Sequence, residues 1–524
     1  MRTAYSVDTV RTAERALMER LPDGTLMQRA AAGLATACAQ LLGRVYGARV
    51  VLLVGSGDNG GDALYAGARL AARGAGVTAV LLSPERAHPG GLAALRRAGG
   101  TTAAPEDAGP PLRRARLVVD GIVGIGGRGG LRPKAARLAE LVAEGDAAVV
   151  AVDLPSGVEA DTGEVRGPAI RADLTVTFGT HKPAHLIDPA REYAGSVRLV
   201  DIGLGPELPR TPVLESPQHA EIAALLPVPG AESDKYRRGV VGIAAGSARY
   251  PGAAVLAVAG ALRGGAGAVR YVGAAGEAVL ARFPETLVSD RGPAKAGRVQ
   301  AWVVGPGAGE DAGPVAEVLA AEVPVLLDAD GLRLAERDAV RARTAPTLLT
   351  PHAGEAAALL GVSREEVEGA RLTAVRELAA RYRATVLLKG STTLVAGEPG
   401  EPGEPGEPGG AGGAGGAGAG ERDGDALARH RGQRRRPVRP RGQSARGRPL
   451  RARRGQHRRP PARPRRPARR AGRPGRRPRR GRGDPAGVAL GGGVKRGRAV
   501  GLARSWGRWR GPARPAAIHP PHPL

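Results

Sequence analysis

Short, uninterrupted apolar runs separated by helix-length stretches constrain this chain more than any other feature of it. Residues 49–54 form one such run. It ends in Gly55-Ser56-Gly57-Asp58-Asn59-Gly60-Gly61-Asp62, a helical pattern continues through Arg73, Gly74 stops it, and a second run covers 77–82. That is a strand–loop–helix–strand unit. Further runs at 116–119, 147–152, 174–178 and 197–200 extend it. A strand with one wet face alternates polar and apolar residues. Continuous runs point instead to a parallel sheet covered on both faces.

A stretch rich in Pro and Gly, 203–229, reads as a linker, and then the pattern resumes. Strands are expected at 240–244, 269–272, 302–304, 325–327, 347–349, 385–388 and 393–396, with a helix over 253–262. Ser363-Arg364-Glu365-Glu366 is a capping box, whose hydroxyl and carboxylate satisfy exposed amides at a helix start. The helix it opens is expected to run toward Tyr382. After Gly397 the character changes abruptly to Glu-Pro-Gly and Ala-Gly repeats, 398–420, which bury no core and read as a spacer. Arg, Pro and Gly dominate 421–524, and disorder is expected there.

The whole-chain net charge of +28 suggests nucleic acid until it is located. Residues 421–524 hold 33 Lys+Arg against 4 Asp+Glu, a net +29, so residues 1–420 carry −1. The basicity belongs to the tail, whose few aromatics, Trp506 and Trp509 among them, make a poor stacking platform. Nonspecific phosphate binding by the tail is incidental on this reading. No apolar run is long enough to span a membrane, and no secretory signal pattern opens the chain. The single cysteine, Cys38, excludes an internal disulfide framework and fits a reducing cytoplasm. It lies in an apolar run, where a small buried residue is expected.

A Gly-rich loop between strand and helix offers backbone amides and a helix N-terminus to a pyrophosphate. The loop alone is equally an unspecialised tight turn. Further motifs occur in order: Met1-Arg2-Thr3-Ala4-Tyr5, Leu26-Met27-Gln28-Arg29-Ala30-Ala31, Val119-Asp120-Gly121-Ile122-Val123-Gly124-Ile125-Gly126 and Val152-Asp153-Leu154-Pro155-Ser156-Gly157. With these, roughly residues 1–205 resemble the epimerases that interconvert the two C6 hydrates of NADH and NADPH. The resemblance implies that Asp58, Asn59, Gly60, Gly61 and Asp62, with Gly124, Ile125, Gly126, Gly127, Arg128, Gly129 and Gly130, hold the hydrated cofactor. It implies that Asn59, Asp120 and Ser156 supply oxygen ligands to potassium, and that Asp153 contacts the hydrated nicotinamide as the acid/base group. On residue type alone Asp153 is a cap or turn former before Pro155, and Asp120 a turn residue before Gly121. Ala63 stands where the family commonly has Gly, so a methyl group is expected to crowd the turn into the helix.

The second block carries Gly239-Val240-Val241-Gly242 through Gly246-Ser247, Tyr250-Pro251-Gly252-Ala253-Ala254 and Val304-Gly305-Pro306-Gly307. It also carries Leu327-Asp328-Ala329-Asp330-Gly331-Leu332, Leu349-Thr350-Pro351-His352-Ala353-Gly354-Glu355 and Leu388-Lys389-Gly390-Ser391-Thr392-Thr393. About residues 235–397 resemble the NAD(P)H-hydrate dehydratases. In that family ADP, or ATP, phosphorylates the hydrate's hydroxyl, a poor leaving group made good. The resemblance implies Ala253, Gly307 and His352 against the substrate. It implies Lys389, Gly390, Ser391, Thr392 and Thr393 against the nucleotide, with magnesium, and a structural Asp330. His352 equally reads as a hydrogen-bonded structural histidine after Pro351.

The Gly-Ser-Gly-Asp segment that should follow, bearing the family's general base, does not appear after Lys389. Assigning GC-rich synonymous codons to 425–451 and reading one nucleotide later yields such a segment, its aspartate in the register of Arg435. A frameshift within or just after the repeats accounts for this and for the Arg-rich tail. Low or absent dehydratase activity is expected of the chain as written.

The expected organisation is therefore an N-terminal Rossmann-like three-layer α/β/α domain, 1–215, and a truncated ribokinase-like α/β domain, 225–397. The implied substrates are NADHX and NADPHX, and a cytoplasmic homo-oligomer is expected. Three other readings compete. A dinucleotide-dependent oxidoreductase lacks its G-x-G-x-x-G and the acidic residue at the second strand's end, where Leu81-Leu82-Ser83-Pro84 stands. A small-molecule kinase of the ribokinase class would use only the second block, and a nucleic-acid binder only the tail.

Overall fold

The computed structural model describes residues 1–397, all within one compact unit. The spacer at 398–420, the tail at 421–524 and the shifted-frame segment around Arg435 lie outside the described residues.

After a short strand β1 (Arg2–Ala4), helices α1 (Val7–Met18) and α2 (Thr25–Leu42) precede the first sheet. Its strands are β2 (Arg49–Val54), β3 (Gly76–Leu81), β4 (Thr101–Ala103), β5 (Leu117–Gly121), β6 (Ala148–Val152), β7 (Leu174–Phe178) and β8 (Ser196–Val200). All pair in parallel, in the order β4-β3-β2-β5-β6-β7-β8. The continuous apolar runs have the predicted cause: five of six residues in β2 and all five in β5 are buried. Each such Val or Leu contributes about 1.5–3 kcal/mol by leaving water.

The second sheet repeats the plan with β10 (Val240–Ala244), β11 (Ala268–Val272), β12 (Leu287–Ser289), β13 (Ala301–Val304), β14 (Val325–Leu327), β15 (Thr347–Leu349), β16 (Thr385–Leu388) and β17 (Leu394–Ala396). Its order is β12-β11-β10-β13-β14-β15-β16-β17, parallel except for the final antiparallel pair. In both sheets the order reverses beside the first strand, between β2 and β5 and between β10 and β13. The loops leaving the carboxyl ends of those strands diverge there and leave a crevice, the usual ligand position in open α/β sheets.

Two expectations need correction. Residues 203–229 are more than a linker. They hold β9 (Leu214–Ser216), paired antiparallel with β1, and a helix, His219–Leu225. The helix opened by Ser363 does not reach Tyr382 unbroken. It stops at Gly369, and Ala370, at φ −134° and ψ 51°, turns the chain into a second helix, Arg371–Tyr382. The capping box itself is present, with Ser363 Oγ accepting from Glu366 N and Glu366 Oε2 from Ser363 N. Cys38 is fully buried, and burial pushes its thiol up to about 12, so it is packing rather than a reactive group.

Candidate functional site

The crevice of the first sheet gathers the predicted residues. The loop after β2 enters α3 (Asp58–Ala71), whose first turn has no side-chain cap, so its amides remain available to an anion. Glycines inside that helix are costly, at about 1 kcal/mol each relative to Ala. Gly60 is required, because an added methyl there would overlap the carbonyl oxygen of Gly55. The loop after β5 crosses over this helix start. A side chain at Gly124 would collide with the amide of Asn59. The methyl of Ala63 crowds nothing. It is fully buried in the space that Gly121, lacking a side chain, leaves open.

Asp153 follows directly after β6, and the left-handed backbone expected of a turn is there, at φ 65°. Its side chain does not cap a turn. It is buried, and its Oδ1 pairs with Lys182 Nζ at 2.5 Å and accepts from Thr177 Oγ1 at 2.8 Å. The ammonium is also buried, and spends its other two protons on Thr177 Oγ1 at 3.1 Å and the carbonyl of Phe178 at 3.4 Å. His185 Nε2 lies 2.7 Å from the Asp153 carbonyl oxygen. Among the described residues no donor reaches Asp153 Oδ2, which leaves that oxygen open to a ligand.

The sequence reading missed Lys182. It sits 29 residues from Asp153 in an irregular segment without periodicity, and the only cue was a Lys-Pro pair just past the end of a strand. It also missed α1, which places Glu14 within electrostatic reach of Asp153, Asp58 and Lys182, and brings Arg11 beside Gly126.

Asp120, at the end of β5, is fully buried and faces Ser156. Its Oδ1 accepts from Ser156 Oγ at 2.6 Å and from Ile122 N at 3.3 Å, and its Oδ2 from Ser156 N at 2.8 Å. The bond to Ile122 is the turn contact expected on residue type, and the pairing with Ser156 is additional. Asn59 donates Nδ2 to the carbonyl of Val152 at 2.6 Å, which leaves its own oxygen unspent. The segment 124–130 starts against Asn59 at Gly124, passes Arg11 at Gly126, and has Gly129 and Gly130 at φ 72° and 90°.

The carboxyls differ in state for physical reasons. Burial pushes Asp62 well up, and the nearby Asp153, Asp58 and Glu14 push it further, all favouring its protonated form. Its Oδ1 is buried without a hydrogen-bond partner. Burial, the largest single influence, also pushes Asp153 up, but the ammonium of Lys182, His185 and the hydrogen bonds from Lys182 and Thr177 together outweigh it and hold the carboxyl below the usual range. Burial raises Asp120 to about 6 against the hydrogen bonds from Ser156 and Ile122. Burial, then Lys182, lowers His185 to about 3, so it is neutral. Neighbouring carboxyls whose pKa values are driven apart are the usual signature of acid and base roles.

In the second half, Ala253 and Gly307 meet at the crevice between β10 and β13, where a side chain on Gly307 (φ 67°) would stand 2.7 Å from the Ala253 methyl. Asp330 holds Gly309 N at 3.0 Å, the structural part expected of it. His352 is exposed and caps a helix, its Nδ1 accepting from Gly354 N and Glu355 N at 3.0 and 3.1 Å. That is the structural reading of this histidine, and its Nε2 lies 3.5 Å from Glu355. Lys389 Nζ bonds Asp328 Oδ1 at 2.8 Å, with Glu355 at 3.8 Å. Asp328 was quoted only as part of a motif, yet it is this lysine's partner. Of the three hydroxyls after Lys389, Ser391 is already committed, donating to Asp188 of the first half.

A family model for the YjeF-related protein N-terminus matches residues 23–184, and one for NAD(P)H-hydrate dehydratase matches residues 241–428. The bifunctional NAD(P)H-hydrate repair enzyme Nnr of Mycobacterium tuberculosis is 50% identical over 405 residues, spanning 76% of this chain and 82% of that protein. Its counterpart from Corynebacterium glutamicum is 39% identical over 475 residues, with the same shares covered. Among solved structures, an ADP/ATP-dependent NAD(P)H-hydrate dehydratase from Bacillus subtilis co-crystallised with ATP/Mg2+ is 30% identical. That likeness covers 34% of this chain and 68% of the other, at a TM-score of 0.31. On the two family models and on relatives matched over four fifths of their length, this chain belongs to the bifunctional NAD(P)H-hydrate repair enzymes.

Proposed function

We propose that the first half, 1–215, equilibrates the R and S hydrates of NADH and NADPH, with Asp153 as the group that moves the proton. The second half, 225–397, is the ADP- or ATP-dependent dehydratase part of the same repair function. The observation that carries the first assignment is the buried Asp153–Lys182 pair at the crevice, beside an uncapped helix start. Inverting C6 requires reversible loss of the hydroxyl or ring opening, and either route passes a proton between the substrate and a positioned side chain. Asp153, held ionised, accepts it at Oδ2. Lys182 keeps that carboxylate ready, and Asp62, whose protonated form burial favours, is the complementary carboxylic acid of the cluster. The first turn of α3 and the segment 124–130, with Arg11, would receive the pyrophosphate.

Potassium belongs to the same proposal. Asp120 is a fully buried carboxylate with no cationic side chain among its partners, Ser156 Oγ stands beside it, and Asn59, at the start of the helix after β2, leaves its side-chain oxygen unspent. A hard monovalent cation suits such oxygens. When bound it would supply the missing counter-charge. Magnesium with the nucleotide at Lys389–Thr393 is proposed for the second half, as is a homo-oligomeric, cytoplasmic enzyme. No helix among the described residues is long and apolar enough to cross a membrane.

The test is Asp153→Asn in the full chain, following equilibration of R- and S-NADPHX by chromatography. The rate is expected to fall by about 10² or more. Normal turnover would remove Asp153 from the acid/base role. The kinase and nucleic-acid readings have no comparable observation in their favour.

A further inference from the structure

The segment that leaves Lys182 and His185 does not stay with the first half. Ile187 is fully buried in the core of the second half. The next residue, Asp188, is buried against the loop after β16. Its carboxylate Oδ2 accepts from Ser391 Oγ, and its backbone N–H donates to Thr392 Oγ1 at 3.1 Å. The buried Arg371, within electrostatic reach of Asp188, donates Nη2 to the carbonyls of Lys389 and Thr392, both at 3.0 Å. Its guanidinium fills the space where any side chain at Gly390 would stand.

This grip has a chemical consequence. Across a trans peptide the carbonyl and the following N–H point in opposite directions. Turning the Lys389 and Thr392 carbonyls toward Arg371 therefore turns the amides of Gly390 and Thr393 away from it. Neither amide has an acceptor among the described residues. Thr392 Oγ1 already accepts from Asp188, so its hydroxyl hydrogen is free to donate outward. Ser391 is the reverse: its one hydrogen is spent on the carboxylate. Two amides, one hydroxyl and the Lys389 ammonium thus form a donor set for an anion, and the loop that presents it is held at Ser391 and Thr392 by a residue of the other half.

We propose that Asp188, contributed by the first half, is the positioning residue of the nucleotide loop in the second half, so that the phosphate site is incomplete without the fusion partner. The proposal rests on reading Lys389–Thr393 as the nucleotide loop, and the experiment separates the two. ADP with magnesium is titrated into the full chain and into Lys389→Ala, Asp188→Ala, Asp188→Asn, Ser391→Ala and the Asp188→Ala/Ser391→Ala double variant. Hydrogen exchange of the peptide spanning 389–393 is followed in parallel.

Asp188→Ala is expected to weaken ADP binding about tenfold or more, the scale of one lost hydrogen bond to a buried charge. It is also expected to speed exchange at Gly390 and Thr393. Asp188→Asn keeps an acceptor for Ser391 and is expected to recover most of the affinity. The double variant is expected to bind no worse than either single one, because both remove the same contact. If Lys389→Ala binds ADP normally, or the full chain does not bind ADP, the nucleotide-loop reading falls and the proposal with it. If Lys389→Ala abolishes binding while Asp188→Ala leaves affinity and exchange unchanged, the loop reading stands and the role of Asp188 is refuted. Tighter binding in Asp188→Asn than in the unaltered chain would also overturn it, since the carboxylate would then be repelling the phosphate rather than placing its donors.

Discussion

Replacing Lys182 by methionine removes an ammonium while keeping an unbranched chain of similar length in a site only 2% exposed. What remains is the carboxylate of Asp153, also buried, keeping the Thr177 hydroxyl but losing its counter-charge. Breaking a buried ion pair on one side costs about 3–5 kcal/mol, because the remaining charge is left uncompensated. For a unit of this size that corresponds to a fall in melting temperature of roughly 5 °C. The pH dependence carries the diagnosis. In the unaltered chain the Asp153 pKa is depressed, so its contribution is present above the unfolded value of about 3.9 and is lost as pH falls through the folded value. Without Lys182, burial, the largest single influence, is opposed only by His185 and the Thr177 hydroxyl, and the folded pKa is expected to rise above the unfolded one. The carboxyl then prefers to be protonated when folded, and the variant loses stability as pH rises through that new value. The gap between the two proteins is therefore expected to be widest near neutrality and to close toward pH 4. Adding Asp153→Asn removes the stranded charge, and the double variant is expected to be more stable at pH 7 than Lys182→Met alone. Thermal melts from pH 4 to 8 measure all of this. A pH-independent gap, or a double variant that simply adds the two single losses, would refute the buried-pair reasoning.

Replacing potassium by a large organic cation at equal ionic strength is expected to weaken NADPHX binding. Because Asp120 titrates near about 6, the potassium dependence should fade as pH drops through that value and the ligand loses its charge; an unchanged dissociation constant removes the ion. Truncation after Leu204 deletes β9, the partner of β1, and the Pro209 carbonyl that accepts from Tyr5. It is expected to lower the melting temperature of the first half relative to a chain ending after Leu226, by calorimetry; equal midpoints would show that this pairing contributes nothing. The chain as written is expected to show little dehydratase activity and the frame-restored chain to recover it. Dihydronicotinamide absorbance with ADP or ATP compares them. Loss of one preorganised donor alone costs roughly 3 kcal/mol, so equal rates would end the frameshift account.

Much of the fold is carried locally. An apolar run such as 117–119 or 149–152 has nowhere to lie except between two covering layers, and a glycine-rich turn into a helix leaves its amides facing out whatever surrounds it. The central strand positions, the parallel class and the site residues Asp58 at the helix start and Asp120 and Asp153 at strand ends could accordingly be read from the sequence, whereas the short strands β1, β4, β9 and β12 were not. The partners of those site residues could not be read there. Lys182 is an unremarkable charged residue until the return of β7 and the segment after it carry it beside Asp153. Asp188 touches Ser391 across 203 residues of sequence, and β1 finds β9 near the far end of its half. Nor did the sequence show that the helix breaks at Ala370, or that Arg371, which opens the next helix, lies against Gly390. Local sequence fixes which backbone and which faces form, because those follow from period and propensity over a few residues. The charge state of a buried group and the identity of its neighbour depend on long-range packing, and that is settled only when the sheets close.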